Sequence, residues 1–272
     1  MADHRQKLHE DSDMTVAQPT NVYDSRSHSD TEMASTCTRP RVNQASSTPW
    51  VIHGPRKFAN PSPLGLCSFA ATTFVLSCIN MNVRGETIPN IVIPLAFAYG
   101  GLIQLLAGMW EMAAGNTFGA TAFSSYGGFW IAYGFLLTPP WSVLDKDGPY
   151  EGVTGSVMGF FLTAWWIFTT VLLICTLKST LVSFFLFFAV DMCFLLLACK
   201  SYADDLGNAA AQDALQQAAG LFGFLASFLA WYSALASIQD NSNSFFKVPV
   251  FHFPWSDVGQ QLRKERAEHN MA

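Results

Sequence analysis

The sequence predicts an all-α membrane protein built from six transmembrane helices. Three observations carry that reading. Half of the 272 residues are apolar and only 13% are charged, against about 25% in a soluble domain. The deficit is local: between Ala59 and Ile238 the only basic residues are Arg84, Lys146, Lys178 and Lys200, whereas both ends of the chain are charge-dense and balanced in sign. In between lie six apolar stretches of ~20 residues, enough at roughly 1.5 Å per residue to cross a hydrocarbon core of about 30 Å. The expected organisation is a disordered polar N-terminal tail over 1–57, a six-span domain over 58–238 and a polar C-terminal tail over 239–272.

The first span falls near 62–80, in FANPSPLGLCSFA and the residues after it. Pro61 disfavours the helical conformation at Asn60, which places Asn60 to cap the helix that follows. Pro61 and Pro63 suit a helix start, where a missing N–H would lack a partner anyway. Phe69, Thr73 and Ser77 then recur at four-residue spacing, so one ring and two hydroxyls share a face.

The second span, near 91–114, carries Gly100, Gln104, Ala107, Gly108 and Glu111 on one face. Small residues there let helices approach closely, and an amide can hydrogen-bond across them. Glu111 is harder to explain as packing, because an ionisable group at membrane depth is expensive and faces a cavity or a partner; the other possibility is a place near the aqueous boundary. GNTFG at 115–119 is too short for a wet loop, so Asn116 and Thr117 are expected to cap the third span, near 119–139. Thr121, Ser125 and Gly128 continue one face of it, with Tyr126 alongside. This polar run reads as a tight turn followed by the wall of a pore or substrate cavity, or else by an interhelical contact.

The fourth span, near 153–177, holds Gly155 and Gly159, and the sixth, near 217–238, holds Ala226, Ala230 and Ala234. Both are small-residue ridges for close helix packing, within or between protomers. The fifth span, near 180–199, contains Asp191 among Phe, Val, Met and Leu. A mid-membrane carboxyl is either a proton carrier or a group bonded to a neighbouring helix or protomer.

Several function classes drop out. The chain has no phosphate-binding loop, dinucleotide fingerprint or H-E-x-x-H pair, and no nucleophile–base or metal-ligand spacing, so neither an enzyme nor a cofactor or metal site is expected. All six histidines lie in the tails, and no basic patch points to nucleic acid. Cys67, Cys78, Cys175, Cys193 and Cys199 lie within spans without redox spacing and read as small packing residues. Six spans put both termini on one side. The Lys/Arg count at the span ends is nearly balanced, and the termini are placed in the cytosol.

NPSPLGL at 60–66 and YGGLIQLLAGMWEMAAGNTFGATAFSSYGGFW at 99–130 resemble signature segments of the acetate uptake transporters, or succinate–acetate permeases. FLASFLAWYSALA near the C-terminus fits as well, so the resemblance covers about 58–238, and the long polar N-terminal tail is similar to that of the fungal branch. The resemblance implies proton-coupled uptake of acetate and related short monocarboxylates through a pore in each protomer of a homohexamer in the plasma membrane. It also implies a hydrophobic constriction whose positions here are Phe69, Tyr126 and Val190. Leucine is common in the family at the last of these, so Val190 puts pore width in question. Asn60, Gln104, Glu111 and Asn116 match family motif positions and are the polar pore candidates, and Glu111 and Asp191 are the candidates for proton coupling. Alternatives are a passive channel for small neutral acids, ammonia or amides, and a membrane sensor of acetate or ammonium.

Overall fold

The computed structural model describes residues 58–271 apart from Ser142 and residues 145–147. The expected disordered tail over 1–57 lies outside the described residues, as do the loop charges Asp145, Lys146 and Asp147. Six long helices form the described membrane domain: α1 (Ser62–Asn80), α2 (Pro89–Ala113), α3 (Thr117–Leu137), α4 (Thr154–Cys175), α5 (Leu181–Asp205) and α6 (Ala209–Ile238). A seventh, α7 (Asp257–Met271), follows near the C-terminus. All except α3 among the six are apolar enough by composition to cross a membrane. Helix α3 has the length, 21 residues, but its glycines, hydroxyls, tyrosines and tryptophan dilute its hydropathy. Eight of its residues are buried inside the bundle, where such groups are tolerated.

Local chemistry sets the helix starts. Asn116 caps α3 by accepting the Gly119 N–H at 3.1 Å, Thr180 caps α5 through Ser183 N–H at 3.1 Å, and Asn208 caps α6 through Ala211 N–H at 3.1 Å. Each satisfies a donor that a helix start leaves without an intrahelical acceptor. Helix α4 is capped from a distance: Asp205, at the end of α5, accepts Gly155 N–H at 2.9 Å and Ser156 N–H at 2.6 Å. Asn60 accepts the Ser62 N–H at 3.1 Å, but the residue that opens α1 is Pro61, one position later than the proline rule placed the cap. Thr117 lies inside α3 rather than capping it.

Helix α2 is not uniform. Ala98–Ile103 forms a π-helical turn at the glycine pair, between α-helical stretches. The extra residue in that turn re-aims the face beyond it, and Gln104 and Glu111 follow. Farther along, a Cβ on Gly108 would lie 2.5 Å from the Ser124 backbone nitrogen, so α2 and α3 approach as closely as a missing side chain permits.

Helix packing runs in a ring. Helix α1 packs on α6, α6 on α5, α5 on α4, and α2 on both α1 and α3. The backbones of α3 and α4 stay apart, and large side chains close that gap: Phe129 meets Phe161 and Trp165 at ring-centroid distances of 5.8 and 5.2 Å. The small ridges lie within the protomer. Gly159 sits under the Tyr202 ring of α5, and Ala226, Ala230 and Ala234 are buried. Beyond Ile238 the chain docks back on the domain: Leu181 N–H donates to Phe251 C=O at 2.9 Å, Trp255 Nε1 donates to Leu177 C=O at 2.8 Å, and Phe253 is buried.

Candidate functional site

Three cavities follow one another through the ring. The first, about 220 Å³, is bounded by the starts of α1, α3 and α5 and the ends of α2 and α6. A small middle chamber of about 40 Å³ follows. The third, about 260 Å³, is bounded by the opposite ends of the same helices together with the start of α4. Phe69, Tyr126 and Val190 line both the first cavity and the middle chamber, and Leu76, Phe129 and Leu197 line both the middle chamber and the third cavity. Each triad is therefore the partition between two spaces.

The first partition is ordered by Tyr126. This residue is 4% exposed, and its ring centroid lies 6.1 Å from that of Phe69 and 6.4 Å from those of Phe187 and Phe194. Its hydroxyl pairs with Thr169 Oγ1 on α4 at 3.0 Å, so the phenol is satisfied without turning into the path. Val190 completes the triad from α5. The middle chamber behind it is almost wholly apolar, and a small apolar cavity stays dry.

Polar groups gather at the first cavity. Glu111 is 2% exposed and accepts two hydrogen bonds, from the Ser62 hydroxyl and from Asn116 Nδ2 at 2.7 Å. Ser62 and Asn116 both line the cavity, while Glu111 stands just behind them. The backbone repeats the link, with Asn116 N–H donating to Glu111 C=O at 2.9 Å. Gly119 leaves room for it, because a Cβ there would lie 3.0 Å from the Glu111 carboxyl carbon. One carboxylate thus ties the start of α1 to the start of α3. Gln104 lines the same cavity, is 1% exposed, and its amide oxygen has no partner among the described residues.

The other sequence-derived candidates divide. Thr73 lines the middle chamber. Asn60 is exposed ahead of α1 and lines none of these cavities. Thr121 is exposed and donates to Thr117 C=O at 2.9 Å, and Ser125 is half-buried outside all three cavities. The face expected to carry both along a pore wall is turned away, because the α3 face toward the path runs through Gly119, Ala122, Phe123 and Tyr126 instead. Asp191 also points elsewhere. It accepts from Thr170 Oγ1 at 2.7 Å and Trp166 Nε1 at 3.3 Å, both on α4, and is 4% exposed.

Sequence reasoning passed over Ser62, Ser183, Ser233 and Ser237, whose positions line the first cavity. Ser233 and Ser237 are spaced by four on an otherwise apolar helix, the same signal that singled out Thr73 and Ser77. It also passed over the third cavity, with Asn80, Lys200 and Gln216 in its lining.

A ring of membrane-length helices around a chain of cavities defines a multi-pass membrane transport protein. The chain belongs to the GPR1/FUN34/yaaH family, whose sequence model matches residues 45–255. It is 57% identical to acetate permease A of Emericella nidulans over 218 residues, 78% of this chain and 72% of that one. It is 45% identical to ammonia transport outward protein 2 of Saccharomyces cerevisiae, over 74% of this chain and 69% of that one. The succinate-acetate/proton symporter SatP of Escherichia coli is 35% identical over 72% of this chain and 97% of its own. The solved structure of the bacterial acetate channel SatP superposes with a TM-score of 0.59 at 34% identity, over 71% of this chain and 99% of the other.

Proposed function

We propose that this protein moves acetate and related short monocarboxylates, together with a proton, along the three cavities. The observation that carries the proposal is the Phe69–Tyr126–Val190 partition between a polar cavity and a dry chamber. Acetate is an anion at neutral pH, and a bare anion faces a large desolvation cost in such a chamber. Travelling as the neutral acid removes that cost, and also the membrane potential of about 2.3 kcal/mol per charge per 100 mV. The relatives named as an acetate permease and a succinate-acetate/proton symporter support the same substrate class.

In this reading Ser62, Gln104 and Asn116 hold the carboxyl group in the first cavity, and Glu111 keeps Ser62 and Asn116 in place. Phe69, Tyr126 and Val190 gate dewetted passage. Asp191 joins α5 to α4 as a hydrogen-bond acceptor and stands off the path. Asn60 shapes the start of α1. Assembly as a homohexamer in the plasma membrane, with both termini cytosolic, belongs to the proposal and rests on the resemblance.

Radiolabelled acetate uptake into proteoliposomes, with and without an imposed pH gradient, is the test. An inward proton gradient accumulates acetate in this reading and equally in passage of the neutral acid, and symport is distinguished by uptake that saturates with acetate concentration. The second reading, a channel for neutral molecules including ammonia, takes its support from the apolar middle chamber and the relative named for ammonia transport. It predicts uptake that follows only the gradient of the neutral species.

A further inference from the structure

Lys200 and Asn80, like Gln216, line the third cavity with side-chain polar groups that no described residue engages. Lys200 lies near the end of α5 with its side chain in the cavity lining, and it makes no hydrogen bond or ion pair among the described residues. The nearest acids in sequence do not neutralise it. Asp205 is engaged in capping α4, and Asp204 is exposed without an ion pair to Lys200. Across the cavity, at the end of α1, Asn80 is 9% exposed, and its side-chain amide has no partner among the described residues. Its Cβ is backed by Gly220 of α6, where an added Cβ would lie 3.1 Å away. The amide is open to the cavity, where an unpaired donor is met by water or a ligand.

We infer that Lys200 and Asn80 form a docking site for a carboxylate anion at the mouth opposite Glu111. This rests on the transport reading above and adds a residue set to it. The Lys200 ammonium supplies charge and the Asn80 amide a directed N–H, the pair a carboxylate accepts through its two oxygens. Lys200 lies three residues beyond Leu197, one turn away on the same side of α5. An anion held there waits directly outside the Leu76–Phe129–Leu197 partition. Being partly exposed, the lysine binds weakly enough to release its ligand, as a conduction site requires. The cavity lies within the helix ring, which favours a soluble carboxylate over a lipid headgroup as the occupant.

The test uses the full chain in nanodiscs of neutral lipid, and again with anionic lipid added. Lys200 is modified with a water-soluble amine reagent, and the extent is read by peptide mass spectrometry. Acetate should slow the reaction several-fold in neutral lipid, where equal chloride should not. Equal effects of the two salts, or none, overturn the site. Slowing only with anionic lipid present assigns the lysine to a headgroup, which overturns the site as well. This protection is independent of flux, whereas acetate uptake by the unmodified protein tests the transport reading separately. In a protein that transports, Lys200→Met should raise the half-saturating acetate concentration at this mouth about tenfold, with Lys200→Arg restoring it. An unchanged value in well-folded Lys200→Met and Asn80→Ala variants removes both residues from the path.

Discussion

The two mouths of the path are built in opposite ways. At one, Glu111 is buried and engages each of its two oxygens with a donor from a different helix start. At the other, Lys200 and Asn80 line a larger cavity and hold nothing in the protein. Charge at the first mouth therefore acts as structure, and charge at the second is available for binding. The difference teaches that an ionisable residue on a transport path is classified by its partners rather than by its depth.

Substitutions at the two mouths should separate along that line. Glu111→Ala strands the Ser62 hydroxyl and the Asn116 amide, and should cost about 3 kcal/mol of stability. In a thermal melt in mild detergent this corresponds to a fall in Tm of about 6–12 °C. A melt indistinguishable from the parent would mean that the carboxylate is not a tie between α1 and α3.

Asp191 sharpens the contrast, being a second buried carboxylate with two donors but off the path. Asp191→Asn turns an amide N–H toward a donor on α4 and should cost about 1–2 kcal/mol. Acetate uptake should keep the parental pH profile. A shifted profile in folded protein would return Asp191 to the proton route.

Between the mouths, Val190→Ala should cost only about 1 kcal/mol while widening the first partition. The rate for a longer monocarboxylate, relative to acetate, should rise about tenfold in competition assays. An unchanged substrate profile would exclude Val190 from the gate.

The smallest effects on stability belong to Lys200 and Thr121. Lys200→Met should change stability by less than about 0.5 kcal/mol, since no protein contact is lost. Thr121→Ala should leave both stability and uptake at parental values, because its hydroxyl bonds only its own helix. A loss of uptake in Thr121→Ala would bring that side of α3 back to the path.

Much of this was legible in the chain. Local composition set the spans, because a run of apolar residues can satisfy its backbone in lipid only as a helix. The turn at Gly115 and Asn116 was equally local, since a cap depends on residues within one turn of each other. The partnership of Glu111 with Asn116 lay within that turn, and the stripe through Phe69 and Thr73 followed from helical spacing. Sequence by itself thus determined the helices, their order and the amides of the first cavity, Gln104 and Asn116, but not its four serines.

Only the tertiary structure decided which faces look inward. Thr121 and Ser125 share a helix with Tyr126, yet α3 turns them away so that Gly119, Ala122 and Phe123 face the path. Asp191 follows Val190 in the chain but bonds α4, because neighbours on a helix point about 100° apart and Trp166 and Thr170 supply donors on that side. Lys200 was only one of four basic residues in the apolar region until the fold brought Asn80, 120 positions away in sequence, into the same cavity. Spacing along one helix fixes which residues share a face, whereas the rotation of that helix depends on every neighbour it packs against.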